Sequence, residues 1–164
     1  MTAWRLERDI ITLGPLRVAL QRIAVTHWQP AGALRSWGLV PLHRDDDRLL
    51  APAHADEALW IGAWLEDAAT QAELRVIDPL SGVRAELELP RDYQLAALPG
   101  PDGDPQPVAR ATATERSLRI QLACGTDRAE FDLVLLEPED WSARSGQPPT
   151  VPLSGPPPPP PRLG

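Results

Sequence analysis

Two stretches of strict alternation between apolar and polar residues, each folded about a short glycine-containing turn, constrain this chain more than any other feature. A period of two places every second side chain on the same face of an extended strand. In Ala72–Asp78, Leu74 and Val76 alternate with Glu73 and Arg75. The turn Asp78-Pro-Leu-Ser-Gly82 follows, with a proline to preset φ and a glycine free to take positive φ. Val83, Ala85, Leu87 and Leu89 then continue one apolar face, which predicts a hairpin. The second pattern repeats the logic. Leu118, Ile120 and Leu122 share a face, Gly125-Thr-Asp127 turns the chain, and Ala129, Phe131, Leu133 and Leu135 return. Val134 and Leu136 make the end of that strand apolar on both faces, as in a central strand. Between the hairpins, Pro99–Pro107 holds four prolines and two glycines in nine residues and reads as an exposed loop.

The first half is less periodic. Leu59-Trp-Ile-Gly-Ala-Trp-Leu65 is apolar throughout. As a strand it places Trp60 and Trp64 on one side and Leu59, Ile61 and Leu65 on the other. As a helix it could be capped by Asp56 and run on toward Ala72. Gly62 and the β-favouring Trp and Ile content favour the strand. Residues 16–28 carry both patterns as well: Leu16, Ala19, Leu20 and Ile23 keep helical spacing, whereas Leu16, Val18 and Leu20 alternate. Residues 29–56 read as irregular connections with one short strand around Leu39–Leu42. The expected fold is mainly β, an antiparallel sandwich or open barrel. The alternative is an α+β domain with one or two helices in the first half.

Composition divides the 164 residues in two. Residues 142–164 contain nine prolines, two arginines and no acid, so they form a proline-rich flexible tail that cannot bury enough apolar surface to offset its ordering entropy. Residues 1–141 form the domain and hold all 23 carboxylates with 14 of the 16 arginines, a net charge of −9. That field repels a polyanion, so no nucleic-acid partner is expected. There is no lysine, which excludes Schiff-base and P-loop lysine chemistry, and no asparagine, which excludes N-glycosylation. An all-arginine basic set fits a GC-rich, bacterial coding sequence. The single cysteine, Cys124, allows no intrachain disulfide. The N-terminal segment lacks the apolar region of a secretory signal, and no apolar run reaches the roughly 18–20 residues of a membrane span. No membrane partner is expected, and these features together point to the cytoplasm.

Catalytic signals are weak. His43 and His54 lie among Asp45-Asp46-Asp47, Asp56 and Glu57, but their spacing matches no HExxH or EF-hand pattern, and a solvated acidic loop explains them. Cys124 precedes a glycine turn and fits a small buried hydrophobe. Gly-x-Ser-x-Gly, Gly-x-Gly-x-x-Gly and Walker patterns are absent. No catalytic residue, metal ligand or cofactor is therefore assigned.

Interaction signals are stronger. Six tryptophans accompany one phenylalanine and one tyrosine, and all six lie outside the two hairpins. Tryptophan fills cores, and it also anchors protein interfaces with a large apolar body and one N–H. Trp28, Trp37, Trp60 and Trp64 are the candidate partner-binding rings. Pro156–Pro161 is six consecutive prolines followed by Arg162, a polyproline II sequence by its fixed φ. Pro157, Pro160 and Arg162 match the pattern read by aromatic grooves with an acidic rim; a spacer would use the same composition. The function expected is a non-enzymatic interaction or structural module, an adaptor or subunit of a larger bacterial or phage assembly. It would bind a protein partner or itself. The alternatives are a small metal- or cysteine-dependent enzyme using His27, His43, His54, the acids Asp45, Asp46 and Asp47 or Cys124, and a small-ligand-binding β-barrel lined by tryptophan.

Overall fold

The computed structural model describes residues 4–67, 69–110 and 116–156. In chain order the strands begin with β1 (Arg5–Glu7), β2 (Ile10–Leu13), β3 (Leu16–Ala24), β4 (His43–Asp45) and β5 (Arg48–Pro52). They continue with β6 (Glu57–Leu65), β7 (Ala72–Ile77), β8 (Arg84–Leu89), β9 (Gln94–Leu95) and β10 (Ala97–Pro99). The last are β11 (Pro105–Pro107), β12 (Ala109–Arg110), β13 (Arg116–Cys124) and β14 (Asp127–Leu136), before helix α1 (Pro138–Ser145). The protein is mainly β. Both ambiguous segments are strands, β3 and β6, so the helices of the α+β alternative do not form; residues 25–27 make only a single 3-10 turn.

Two sheets pack face to face. The first runs β1-β2-β3-β6-β12, with β9 sharing the second edge of β6. The second runs β4-β5-β14-β13-β7-β8. All pairings are antiparallel except β5 with β14. Both expected hairpins are present, as β7–β8 and β13–β14, and β14 is an interior strand as its two apolar faces require.

One core cluster joins the inward rows of both sheets. Leu16, Val18, Leu20, Leu59 and Ile61 from the first sheet meet Leu74, Val76, Leu87, Ile120, Phe131 and Leu133 from the second. Trp4 closes an open side of the sandwich. Its ring lies 4.6 Å from Phe131, with the Arg44 guanidinium 3.6 Å above it and donating 2.8 Å to the Trp4 carbonyl. The outward side of β14 has its own small cluster: Leu50, Val134 and Leu136 beneath Trp141 of α1.

Three local expectations change. The acidic triplet is a hairpin turn rather than open loop: Asp45 pairs with Arg48 across β4–β5, and Asp46 takes φ +56°. The short strand expected around Leu39–Leu42 reduces to a single bridge, Leu39 with Gln21, flanked by Arg22 N–H to Gly38 O and Val40 N–H to Leu20 O. It fills the β3 edge left free because β2 is only four residues long. Pro99–Pro107 is exposed but not structureless, since its ends pair as β10–β11.

Helix α1 crosses the point where composition changes. Pro138 opens it, Glu139 and Asp140 complement the dipole of its first turn, and Gly146 ends it at φ +75°. Among the described residues no helix is long and apolar enough to cross a membrane.

Candidate functional site

Register divides β6 cleanly. Leu59, Ile61 and Ala63 enter the core, while Ala58, Trp60, Gly62 and Trp64 face outward. Opposite them on β3 stand Ile23, Gln21, Ala19 and Arg17 in the same order. This outward surface carries no carboxylate on either strand.

A loop lies across half of it. Residues 28–37 leave the 3-10 turn, cross the sheet and rejoin the β3 edge. Indoles pin the loop at two points: Trp28 Nε1 donates 3.0 Å to the Ala96 carbonyl, and Trp60 Nε1 donates 2.9 Å to the Arg35 carbonyl. Ser36 Oγ bonds Gln21 at 2.5 Å, and the Gln94 amide donates to the Gly32 carbonyl. Trp37 N–H donates 2.8 Å to the Arg22 carbonyl, and the Trp37 ring meets His27 edge-on at 5.3 Å. Beneath this crossing, the outward residues Ile23 and Ala58 are fully buried. Trp37 Nε1 is the one buried side-chain polar atom among the described residues without a hydrogen bond.

Only the far end is exposed, since Ala19 and Gly62 are buried as well. The Trp60 ring leans along the strand, its edge 3.4 Å from where a Cβ on Gly62 would sit. Trp64 is 38% exposed and donates 3.1 Å to Glu66 Oε1; Leu39, beside β3, is 41% exposed. The four tryptophans singled out from sequence thus gather on or around one outer face. Trp4 and Trp141 are core residues. Pro157, Pro160 and Arg162 lie outside the described residues.

A second polar site sits at one end of the sandwich and was missed from sequence. Glu57 is the one fully buried charged residue among those described. Arg22 Nε donates to it at 3.0 Å, and the His54 backbone N–H donates at 2.8 Å. The segment after α1 closes over this pair. Arg22 Nη2 donates 2.8 Å to the Val151 carbonyl, and His54 Nε2 lies 2.9 Å from both oxygens of Thr150. The hint in the sequence was an acid directly before an all-apolar run. Its partner depends on β3–β6 register, which no local pattern reveals.

The enzyme candidates do not assemble. His27 lies in the 3-10 turn, His43 in β4 and His54 beside the C-terminal segment. Among the described residues no group of three or more His, Cys, Asp or Glu side chains is placed to hold a metal. Cys124 is buried at the end of β13, where burial pushes its thiol up, reinforced by the nearby charges of Asp127 and Asp67 and partly opposed by a backbone hydrogen bond at Leu16. A thiol held protonated is a poor nucleophile. Concavities of about 400 and 370 Å3 lie on the outer face of the second sheet, around Glu73, Glu88, Ala123 and Arg128. They are open and walled by charged side chains, and no nucleophile or acid–base pair converges there. The sandwich interior, where a barrel ligand would sit, is filled by the core cluster.

No protein-family model, curated protein or solved structure matches this chain.

Proposed function

We propose that this chain is a non-enzymatic interaction module that docks a protein partner through the tryptophan-bearing outer face of its first sheet. The observation that carries this is the division of the six rings. Two are buried in packing, whereas Trp60 and Trp64 stand on one outward strand row and Trp28 and Trp37 seat the loop beside it. A face that joins aromatic rings to Arg17 and Gln21, with no acid on its strands, has the composition of an interface core. Such a module acts as an adaptor or subunit of a larger assembly, of bacterial or phage type.

The test uses the full chain as bait in an extract of its own source, beside Trp64→Glu and, on the opposite outer face, Arg75→Ala. Trp64 is exposed enough for a charge to be tolerated. The expected result is a stoichiometric partner held by wild type and by Arg75→Ala and lost from Trp64→Glu. No stoichiometric partner for wild type, or equal capture by Trp64→Glu, overturns the proposal.

A further inference from the structure

We infer that residues 147–151 form a releasable strap that sets how firmly the loop over the tryptophan face is held. That this loop gates docking rests on the function proposed above; the link between strap and loop does not.

The strap is fastened by polar contacts alone. Gln147, Pro148, Pro149 and Val151 are exposed, Val151 at 75%. Among the described residues after Trp141, none belongs to either core cluster. The two prolines have no N–H to donate. What holds the segment is His54 Nε2, 2.9 Å from both oxygens of Thr150, and Arg22 Nη2, which donates 2.8 Å to the Val151 carbonyl. A segment with few apolar contacts and a few such hydrogen bonds opens at a small fraction of the global stability.

The strap lies over a pair that needs dry surroundings. Arg22 faces Leu59 across the ladder, so its side chain belongs to the inward row of β3. There its Nε donates 3.0 Å to Glu57, and the two side chains are 14% and 1% exposed. Water admitted by an open strap weakens the attraction that keeps the guanidinium in place.

The same residue holds the loop from its backbone. Arg22 N–H donates 2.9 Å to the Gly38 carbonyl, and the Arg22 carbonyl accepts 2.8 Å from Trp37 N–H. Both bonds lie on the β3 edge that β2 is too short to reach. Arg22 stands two residues before β3 ends at Ala24. Freeing its side chain loosens that end of the strand, and the two loop bonds loosen with it. Ile23 and Ala58, buried beneath the loop, are then uncovered. The link is reciprocal: a partner that binds the face with the loop lifted frees the strap by the same factor.

The experiment follows hydrogen exchange by NMR in the full-length chain. His54→Ala removes the ring beside Thr150 and keeps the backbone N–H that donates to Glu57. In a second protein Pro148→Gly, Pro149→Gly and Thr150→Ala are combined, which alters the strap alone. Arg22 Nε–H reports whether the strap seals the ion pair. The backbone N–H groups of Arg22 and Trp37 report whether the loop follows. In both variants all three are expected to exchange about fivefold faster, the factor supplied by one net hydrogen bond, while β13 is unchanged. An unaltered Arg22 Nε–H overturns the strap. A faster Nε–H with unaltered Arg22 and Trp37 backbone groups overturns the link. Equal quickening in β13 makes the segment an ordinary part of the global fold and overturns both. Capture by Trp64→Glu is scored separately. If Trp64→Glu loses its partner while the exchange rates of the strap variants stay put, the docking face stands and only the strap is wrong. If Trp64→Glu captures like wild type while the three rates rise together, the strap and loop are coupled and the docking face is wrong.

Discussion

On the outer face of the second sheet, the outward rows read Arg84-Glu86-Glu88 on β8, Glu73-Arg75 on β7, Arg119-Gln121 on β13 and Arg128-Glu130-Asp132 on β14. On the outer face of the first they read Arg17-Ala19-Gln21-Ile23 on β3 and Ala58-Trp60-Gly62-Trp64 on β6. Both faces follow from the same alternation of strand side chains. Outside the Leu50, Val134 and Leu136 patch under α1, the second is solvated directly: Arg75 with Glu86, and Arg119 with both Glu130 and Asp132, tile it with ion pairs in water. The first cannot, having rings and small residues where charges would stand. It borrows a loop over Ile23 and Ala58, lays the Trp60 ring beside Gly62, and leaves only its far end, at Trp64, exposed. An outer face that spends a loop and two indole hydrogen bonds on partial shelter, and stops there, is the more informative of the two.

The largest effect separates buried from open tryptophan. Trp141 is 1% exposed over Leu50, Val134 and Leu136, and its Nε1 donates 3.2 Å to the Leu50 carbonyl. Trp141→Ala is expected to cost about 3–5 kcal/mol, read as a fall in urea midpoint at unchanged slope. Trp64→Ala, by contrast, is expected to stay within about 1 kcal/mol of wild type. Equal losses would make Trp64 a structural ring and erase the difference between the faces.

The next effect concerns how the loop is held. Trp60→Phe keeps an aromatic ring but removes the donor to the Arg35 carbonyl. The expected loss is about 1 kcal/mol, the net worth of one hydrogen bond. Amide exchange at Trp37 and Val40, whose N–H groups bond Arg22 and Leu20, is expected to quicken while exchange within β13 is unchanged. Exchange unaltered at both positions would mean that the indole bond does not pin the loop.

The parts of this architecture legible in the sequence share one property: their physics is local. β7–β8 and β13–β14 announce themselves because each has one wet face, so alternation survives, and because Gly82 or Gly125 marks the turn. β6 hides its type because both of its faces are sheltered, and Ile23 and Ala58 show the same effect at the β3–β6 contact. β5 escapes notice because four of its five residues are buried and its parallel partner, β14, is remote in sequence. Helix α1 has its start and stop signals, Pro138 and Gly146, but at eight residues it is too short to show an apolar period. At the site, Trp60 and Trp64 could be placed on one side of a strand from spacing alone. The Arg22–Glu57 pair could not, because it exists only once β3 and β6 are in register.

The smallest effect tests whether the charged face contributes anything beyond solvation. Arg75 Nε lies 2.9 Å from Glu86 Oε1 directly across the β7–β8 ladder, with both side chains more than a third exposed. Coulomb attraction at that exposure is weakened by water and by salt, and two long side chains lose rotamer freedom to meet. A double-mutant cycle with Arg75→Ala and Glu86→Ala is therefore expected to give a coupling of about 0.2–1 kcal/mol in low salt, falling toward zero in molar salt. Gln121 touches the same guanidinium at 3.4 Å, so the cycle is repeated with Gln121→Ala to separate a pair from a network. A coupling above about 2 kcal/mol that survives salt would mean that this face holds the sandwich together as firmly as Trp141 does. The contrast would then lie between two structural faces rather than between a solvated face and a docking face.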